Sequence, residues 1–196
     1  VVCGIDAILF YTVDIFRTAG STLNEYSSTI ILGVAQVVAA MSSALVVDKY
    51  GRRFFLLTSE VFMVISLSIL GTFFYLKLGD DTYITTEFGW IPLVSLIVYV
   101  VAFSIGLGPI PYGMMAELLP LNIKGIGSSL LTTTRWLLVF FVTRFFNDIM
   151  ENAGRHVGYW LFTGFCILGT VFIYMFVPET KGKSLEEIQE SFRRKK

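Results

Sequence analysis

Charge is scarce in this sequence. Of 196 residues, 15% are Asp, Glu, Lys or Arg, against roughly 25% in a soluble domain. Basic and acidic residues number fifteen each, so no basic surplus points to a nucleic-acid partner. Histidine occurs once, as His156 beside Arg155, and cysteine twice, as Cys3 and Cys166. One imidazole and two distant thiols make no metal-ligand spacing and no nucleophile–base arrangement of the kind an enzyme uses. No cofactor and no enzymatic activity are expected. Both cysteines sit in apolar stretches, where they read as small buried hydrophobes rather than a disulfide. No signal peptide is visible, and the chain opens on Val1 inside an apolar segment. Further sequence upstream is expected.

What is present is apolar. Hydrophobic residues make up 55% of the chain, including eighteen Phe and nine Tyr, and mean hydropathy is +0.71. A helix needs about 20 mostly apolar residues to cross a bilayer. Six stretches meet that length, about 1–18, 28–47, 54–77, 91–114, 126–147 and 157–177. Backbone groups in lipid must bond internally, and the alternation of a membrane barrel is absent. The expected fold is an all-α integral membrane bundle of six transmembrane helices, 1–178, followed by a charged tail, 179–196.

Basic residues are sorted between the connectors. Lys49, Arg52 and Arg53 lie in "DKYGRR", Lys124 in the connector 115–125, and Lys181, Lys183, Arg193, Arg194, Lys195 and Lys196 in the tail. Those ten of fifteen fall on one side, which the positive-inside rule makes cytoplasmic. The opposite side holds the acidic Asp80, Asp81 and Glu87. In the tail, Ser184 and Glu187 have capping-box spacing. Leu185, Ile188 and Phe192 share one face of the short helix this predicts.

The fourth stretch contains "FSIGLGPIPYGMMAELLP", residues 103–120, in which Gly106, Gly108, Pro109 and Pro111 fall within six positions. Proline removes a backbone donor and glycine weakens a helix interior. Irregular backbone at membrane depth is tolerated only where protein or a water-filled cavity satisfies it. A broken, mobile helix of the transporter kind is therefore expected here. Polar residues inside the other stretches are costly and mark candidate sites: Asp6 and Asp14 in the first, Gln36 in the second, Arg135 in the fifth. Phe103, Tyr112 and Trp136 supply flat apolar faces beside them. Rings next to hydrogen-bonding groups suit a sugar.

Four segments together resemble the C-terminal half of a sugar porter of the major facilitator superfamily. "CGIDAILFYTVDIF" is similar to its seventh-helix signature and "DKYGRR" to its D/E-R-x-G-R-R loop. "GLGPIPYGMMAELLP" is similar to its tenth-helix G-x-G-P-I-P-W…E-x-x-P, and "VPETKGKSLEEIQ" to the motif that ends its twelfth helix. The order and spacing agree across essentially the whole chain. The run after Asp6 resembles insect members, some carrying trehalose and others hexoses.

The resemblance implies a substrate site formed by Asp6, Tyr11, Gln36, Phe103, Ser104, Gly108, Tyr112, Arg135 and Trp136. It also implies a cytoplasmic ion-pair network of Asp48, Arg52, Arg53, Glu117 and Glu179. Asp6 stands where Asn is usual, Arg135 where a neutral residue is usual, Ser104 where animal hexose carriers often have Glu, and Tyr112 at a Trp position. Two opposite charges at one depth would offset each other's desolvation, so Asp6 and Arg135 are expected to interact; the alternative is that an aqueous cavity solvates each separately. Implied too are a sugar substrate, a lipid-bilayer setting in the cell membrane, and an N-terminal six-helix half outside this chain. The function expected is facilitative sugar transport by alternating access. A half-transporter that associates with a full-length relative is the alternative.

Overall fold

The structure, a computed structural model, describes residues 3–19, 24–79, 88–119 and 123–177. Among the described residues the chain forms eight α-helices, one 3-10 turn and no strand. The helices are α1 (Ile5–Phe10), α2 (Thr12–Ala19), α3 (Glu25–Tyr50), α4 (Arg52–Leu76), α5 (Ile91–Ile105), α6 (Ile110–Leu118), α7 (Lys124–Asn152) and α8 (Arg155–Phe176). Among the described residues, five stretches are long and apolar enough to cross a membrane: Tyr26–Ser43, Arg52–Gly79, Ile91–Met115, Lys124–Met150 and Arg155–Phe176.

Helical periodicity explains how α4 becomes the central post. Its buried residues include Leu56, Ser59, Glu60, Met63, Leu67, Leu70, Gly71 and Phe74. These follow the i, i+3, i+4, i+7 pattern of one helical stripe. That stripe packs against α5 and α8. Small residues let the backbones approach: a Cβ on Gly71 would lie 2.5 Å from Trp160 Cδ1 of α8, and one on Gly169 would lie 2.7 Å from Glu60 Oε1. Phe74 stacks on Tyr159 at 5.3 Å, and Phe146 of α7 on Phe162 at 5.1 Å. Ile5, Ala7, Ile8, Tyr99, Val100 and Cys166 complete the main core. Both cysteines are free and buried.

The first stretch departs from the single helix expected over 1–18. It divides at Tyr11 into α1 and α2. Thr12 is buried and its Oγ1 bonds back to the Ile8 and Leu9 carbonyls at 2.8 and 3.0 Å. Such back-bonding bends helices. The ladder still crosses the bend, since Tyr11 N donates to Ala7 O and Ile15 N to Tyr11 O. It is a kink, not a loop.

The fourth stretch breaks where its prolines demand. Helix α5 ends at Ile105 and α6 begins at Ile110. In an unbroken helix the Ile105 carbonyl would accept from residue 109, but Pro109 has no N–H. Ser43 Oγ of α3 supplies the missing donor at 2.8 Å. Gly108 N reaches back five residues to Phe103 O at 2.8 Å, and Ile110 N bonds Gly106 O at 3.2 Å. Gly106 is buried against α4 so closely that a Cβ would collide with Ser59 and sit 3.0 Å from the Phe55 carbonyl. The break is braced on two sides.

The tail with Glu179, Ser184, Glu187 and the basic cluster lies outside the described residues, as do Val1, Asp80, Asp81 and Glu87. Asp48 and Glu117 fall within α3 and α6, but their side chains lie outside what is described.

Candidate substrate site

Asp6 owes its position to the turn that starts α1. Gly4 adopts φ 84° as the residue preceding the helix, a left-handed conformation open to glycine. The same glycine lies over Phe162, where a Cβ would come within 2.5 Å of the ring. Just before it, the Cys3 carbonyl accepts a 2.8 Å hydrogen bond from the fully buried Tyr99 hydroxyl. A backbone tied to α5 and pressed on α8 leaves Asp6, in the first turn of α1, little freedom. Negative charge there also suits the helix N-terminus.

Arg135 meets it from α7. Arg135 Nη2 lies 3.8 Å from Asp6 Oδ1, with the two side chains 29% and 22% exposed. The guanidinium carbon is 5.4 Å from the centroid of the Tyr112 ring on α6 and 5.7 Å from that of Trp136 on its own helix. Both contacts fall in cation–π range. Asp6 Oδ2 is buried with no hydrogen-bond partner among the described residues. Four residues singled out from sequence therefore gather from α1, α6 and α7. The Tyr112 ring reaches Arg135 from the first turn of the helix that restarts after the proline break.

The remaining candidates distribute differently. Tyr11 sits at the α1–α2 kink, 5.8 Å from the Phe146 ring. It lines a cavity of about 320 Å³ with Asp14, Ile15, Phe146, Asn147, Met150 and Arg155. Arg155 Nη1 donates to the Asp14 carbonyl at 3.4 Å. Ser104 is buried in α5, while Gln36 of α3 and Phe103 of α5 are half-buried. Among the described residues, no hydrogen bond or ion pair ties these three to the Asp6–Arg135 pair. Gly108 and Phe103 contribute the backbone of the break itself. Two apolar grooves, one between α7 and α8 and one beside Ser68, Thr72 and Ile91, share no residue with the pair.

On the basic loop, Arg53 Nη2 donates to the Tyr174 carbonyl at 2.5 Å, and its guanidinium lies over the Tyr174 ring. Tyr174 is in the last turn of α8, where carbonyls lack helical partners. Arg53 thus caps a helix end, whatever else it does.

Sequence reasoning missed Ser43, Tyr99 and Glu60. Ser43 had an indirect signal, because Pro109 leaves a carbonyl needing a donor. Glu60 is an acid inside an apolar stretch, 4% exposed in the finished bundle. Among the described residues no cluster of three potential metal ligands occurs.

Residues 1–192 match the family described as Sugar (and other) transporter. The chain belongs to that family. It is similar to the facilitated trehalose transporter Tret1 of Anopheles gambiae, with 47% identity over 187 residues, 95% of this chain and 23% of that protein. The Polypedilum vanderplanki protein of the same name is also 47% identical, over 95% of this chain and 36% of its own length. Among solved structures, a double-tryptophan XylE mutant superposes with TM-score 0.84 at 31% identity, over 96% of this chain and 39% of that one. The proton:xylose symporter XylE bound to 6-bromo-6-deoxy-D-glucose gives 0.81 at 28%, over 97% and 40%. The chain therefore spans less than half the length of each of these proteins. It is a multi-pass helical membrane protein with the fold of a major facilitator bundle. Its family is one of transporters and not an enzyme class.

Proposed function

We propose that these residues form the C-terminal half of a carrier that moves a neutral sugar, a hexose or trehalose, across the cell membrane by alternating access. The observation that carries this reading is the meeting of Asp6, Tyr112, Arg135 and Trp136, drawn from three helices, at a partly exposed site beside the proline break. A carboxylate accepts, a guanidinium donates, and neighbouring rings offer apolar faces. This is the chemistry a sugar needs, its hydroxyls bonding and its C–H faces packing. The paired charges cancel, so the site rewards no net charge on the substrate.

Movement in this reading is a rocking of one six-helix half against another around a site near mid-membrane. Helix α6 carries Tyr112 and hangs from the braced break, so rotation there shifts one wall of the site. The connectors rich in Lys and Arg and the tail face the cytoplasm. The half outside this chain supplies the opposing wall. Gln36, Ser104 and Phe103 join the site as the second half closes on it. Asp48, Arg52, Arg53, Glu117 and Glu179 form the cytoplasmic rim.

Uptake of labelled hexose and trehalose into vesicles tests the reading, with the full-length polypeptide and residues 1–196 reconstituted in parallel. Saturable uptake by the full-length protein that falls in Arg135→Asn supports it. Absence of uptake of every sugar tried would overturn it. Absence of uptake by residues 1–196 alone, with a native-like helical spectrum, is expected of a half-carrier.

A further inference from the structure

We propose that the Asp6–Arg135 pair reads the direction of a hydrogen bond. It takes a substrate hydroxyl that donates to Asp6 Oδ1 while accepting from Arg135 Nη2, and it discriminates against a group at that position that can only accept. This rests on the sugar-carrier reading above and adds which chemical feature of the sugar is recognised.

The separation of the pair is the starting point. A charge-assisted N–H···O bond is about 2.7–2.9 Å long, and the pair stands at 3.8 Å. The charges attract, but no direct hydrogen bond uses up the facing donor and acceptor. An oxygen about 2.8 Å from each would see the two ends at an angle of about 85°, since half of 3.8 Å over about 2.8 Å is the sine of half that angle. That is somewhat tighter than tetrahedral, and a few tenths of an ångström of widening relieves it. One hydroxyl oxygen therefore bridges the gap with almost no rearrangement.

Its direction is fixed by the partners. An ionised carboxylate only accepts and a guanidinium only donates. The bridging atom must give its proton to Asp6 and receive one from Arg135. Neither end can swap roles by rotating, as an amide could. Arg135 is steadied by Tyr112 and Trp136 at 5.4 and 5.7 Å, so its donors hold a set orientation. On the other side, Asp6 Oδ2 is buried within the protein, which leaves Oδ1 as the oxygen facing the gap. Both side chains retain partial exposure, so a ligand can reach them. The substrate feature selected is a free hydroxyl on a neutral polyhydroxylated ring. Fluorine, an ether or a carbonyl at the same position keeps an acceptor and loses the donor.

The test is competition for sugar uptake by the full-length protein, using the complete series of monofluoro-deoxy glucoses against the parent sugar. At one ring position the fluoro analogue should compete about tenfold worse or more, the loss expected when a charged acceptor is left without its donor. Asp6→Asn should shrink that penalty to about threefold or less, because an amide can turn its NH₂ toward fluorine. If the single change prevents folding, the Asp6→Asn/Arg135→Asn double variant, which restores charge balance, should show the same flattened profile. Binding followed by the part of the tryptophan emission that is lost in Trp136→Phe gives a second readout that does not require transport. Failure of both glucose and trehalose to be taken up would sink the carrier reading itself. Uptake with a flat fluoro profile, or a penalty unchanged in both variants, would overturn only the directional reading.

Discussion

Arg135 Nη2 stands 3.8 Å from Asp6 Oδ1 across the junction of α1, α6 and α7. Neither charge is independent of the other. A charge partly buried among apolar helices is costly to desolvate, and each here is placed where the other offsets part of that cost. The two residues are far apart in sequence, so the pair also ties the start of the bundle to its fifth apolar stretch.

A double-mutant cycle measures the tie. Asp6→Asn and Arg135→Asn should each lower thermal stability in detergent, because each strands a partner charge. The double variant should lose less than the sum, with a coupling energy of roughly 0.5–3 kcal/mol. Strict additivity, the double variant losing the full sum of the two single losses, would remove the coupling.

The two glycines of the break should behave differently. Gly106→Ala pushes a methyl into Ser59 and the Phe55 carbonyl, and overpacking of this kind costs roughly 1–3 kcal/mol. At Gly108 the nearest atom to a new Cβ is the Phe103 carbonyl at 3.3 Å, a contact that a small shift relieves. Gly108→Ala should therefore keep the fold and slow transport. Equal melting temperatures for both variants would contradict the bracing of the break by α4.

Ser43 offers a sharper probe of the same bracing. Ser43→Ala leaves the Ile105 carbonyl without its donor, at an expected cost of about 1–3 kcal/mol. Ser42, next in sequence, bonds only its own helix at Val38 O. Ser42→Ala should be near neutral. If thermal unfolding ranks the two serines alike, the cross-helix bond is not what holds the break.

Much of this was legible before the structure. Apolar length marks the helices, the Gly–Pro cluster marks the break, and the cost of buried charge joins Asp6 to Arg135. Other features escape because they depend on partners far along the chain. Ser43 meets Ile105 across 62 residues, and Arg53 meets Tyr174 across 121. No local pattern encodes either. The division at Tyr11 was missed because Thr12 bonds its own preceding turn, a choice that composition does not express. Gln36 was marked by its polarity inside an apolar stretch and Ser104 by family resemblance, and in this half alone no hydrogen bond or ion pair links them to the pair among the described residues.

Arg53 has a role visible in the fold, and its loss should show as instability. Arg53→Ala removes both the donor to the Tyr174 carbonyl and the guanidinium over that ring. A hydrogen bond from a charged group contributes about 1.5–3 kcal/mol. The variant should melt earlier and fray the end of α8, seen as faster amide exchange near residues 173–176. A change in transport rate with unaltered stability and exchange would assign Arg53 to the cytoplasmic rim alone.

Glu60 is the acid that the bundle hides. It is 4% exposed within α4, with Gly169 and Cys166 of α8 beside it. Among the described residues no cation lies within ion-pair distance, and Oε2 has no hydrogen-bond partner. A carboxyl so placed is expensive to bury in charged form. Its removal should therefore cost little if shape and hydrogen-bonding capacity remain. Glu60→Gln keeps both and should leave the melting temperature unchanged or raised. Glu60→Lys brings a longer, charged chain against Gly169, where a Cβ would already lie 2.7 Å from Glu60 Oε1, and should lose about 3 kcal/mol or more. Circular dichroism melts of the two variants in the same detergent decide the matter. A Gln variant as unstable as the Lys variant would mean that the carboxylate charge itself holds α4 to α8, through a partner beyond the described residues.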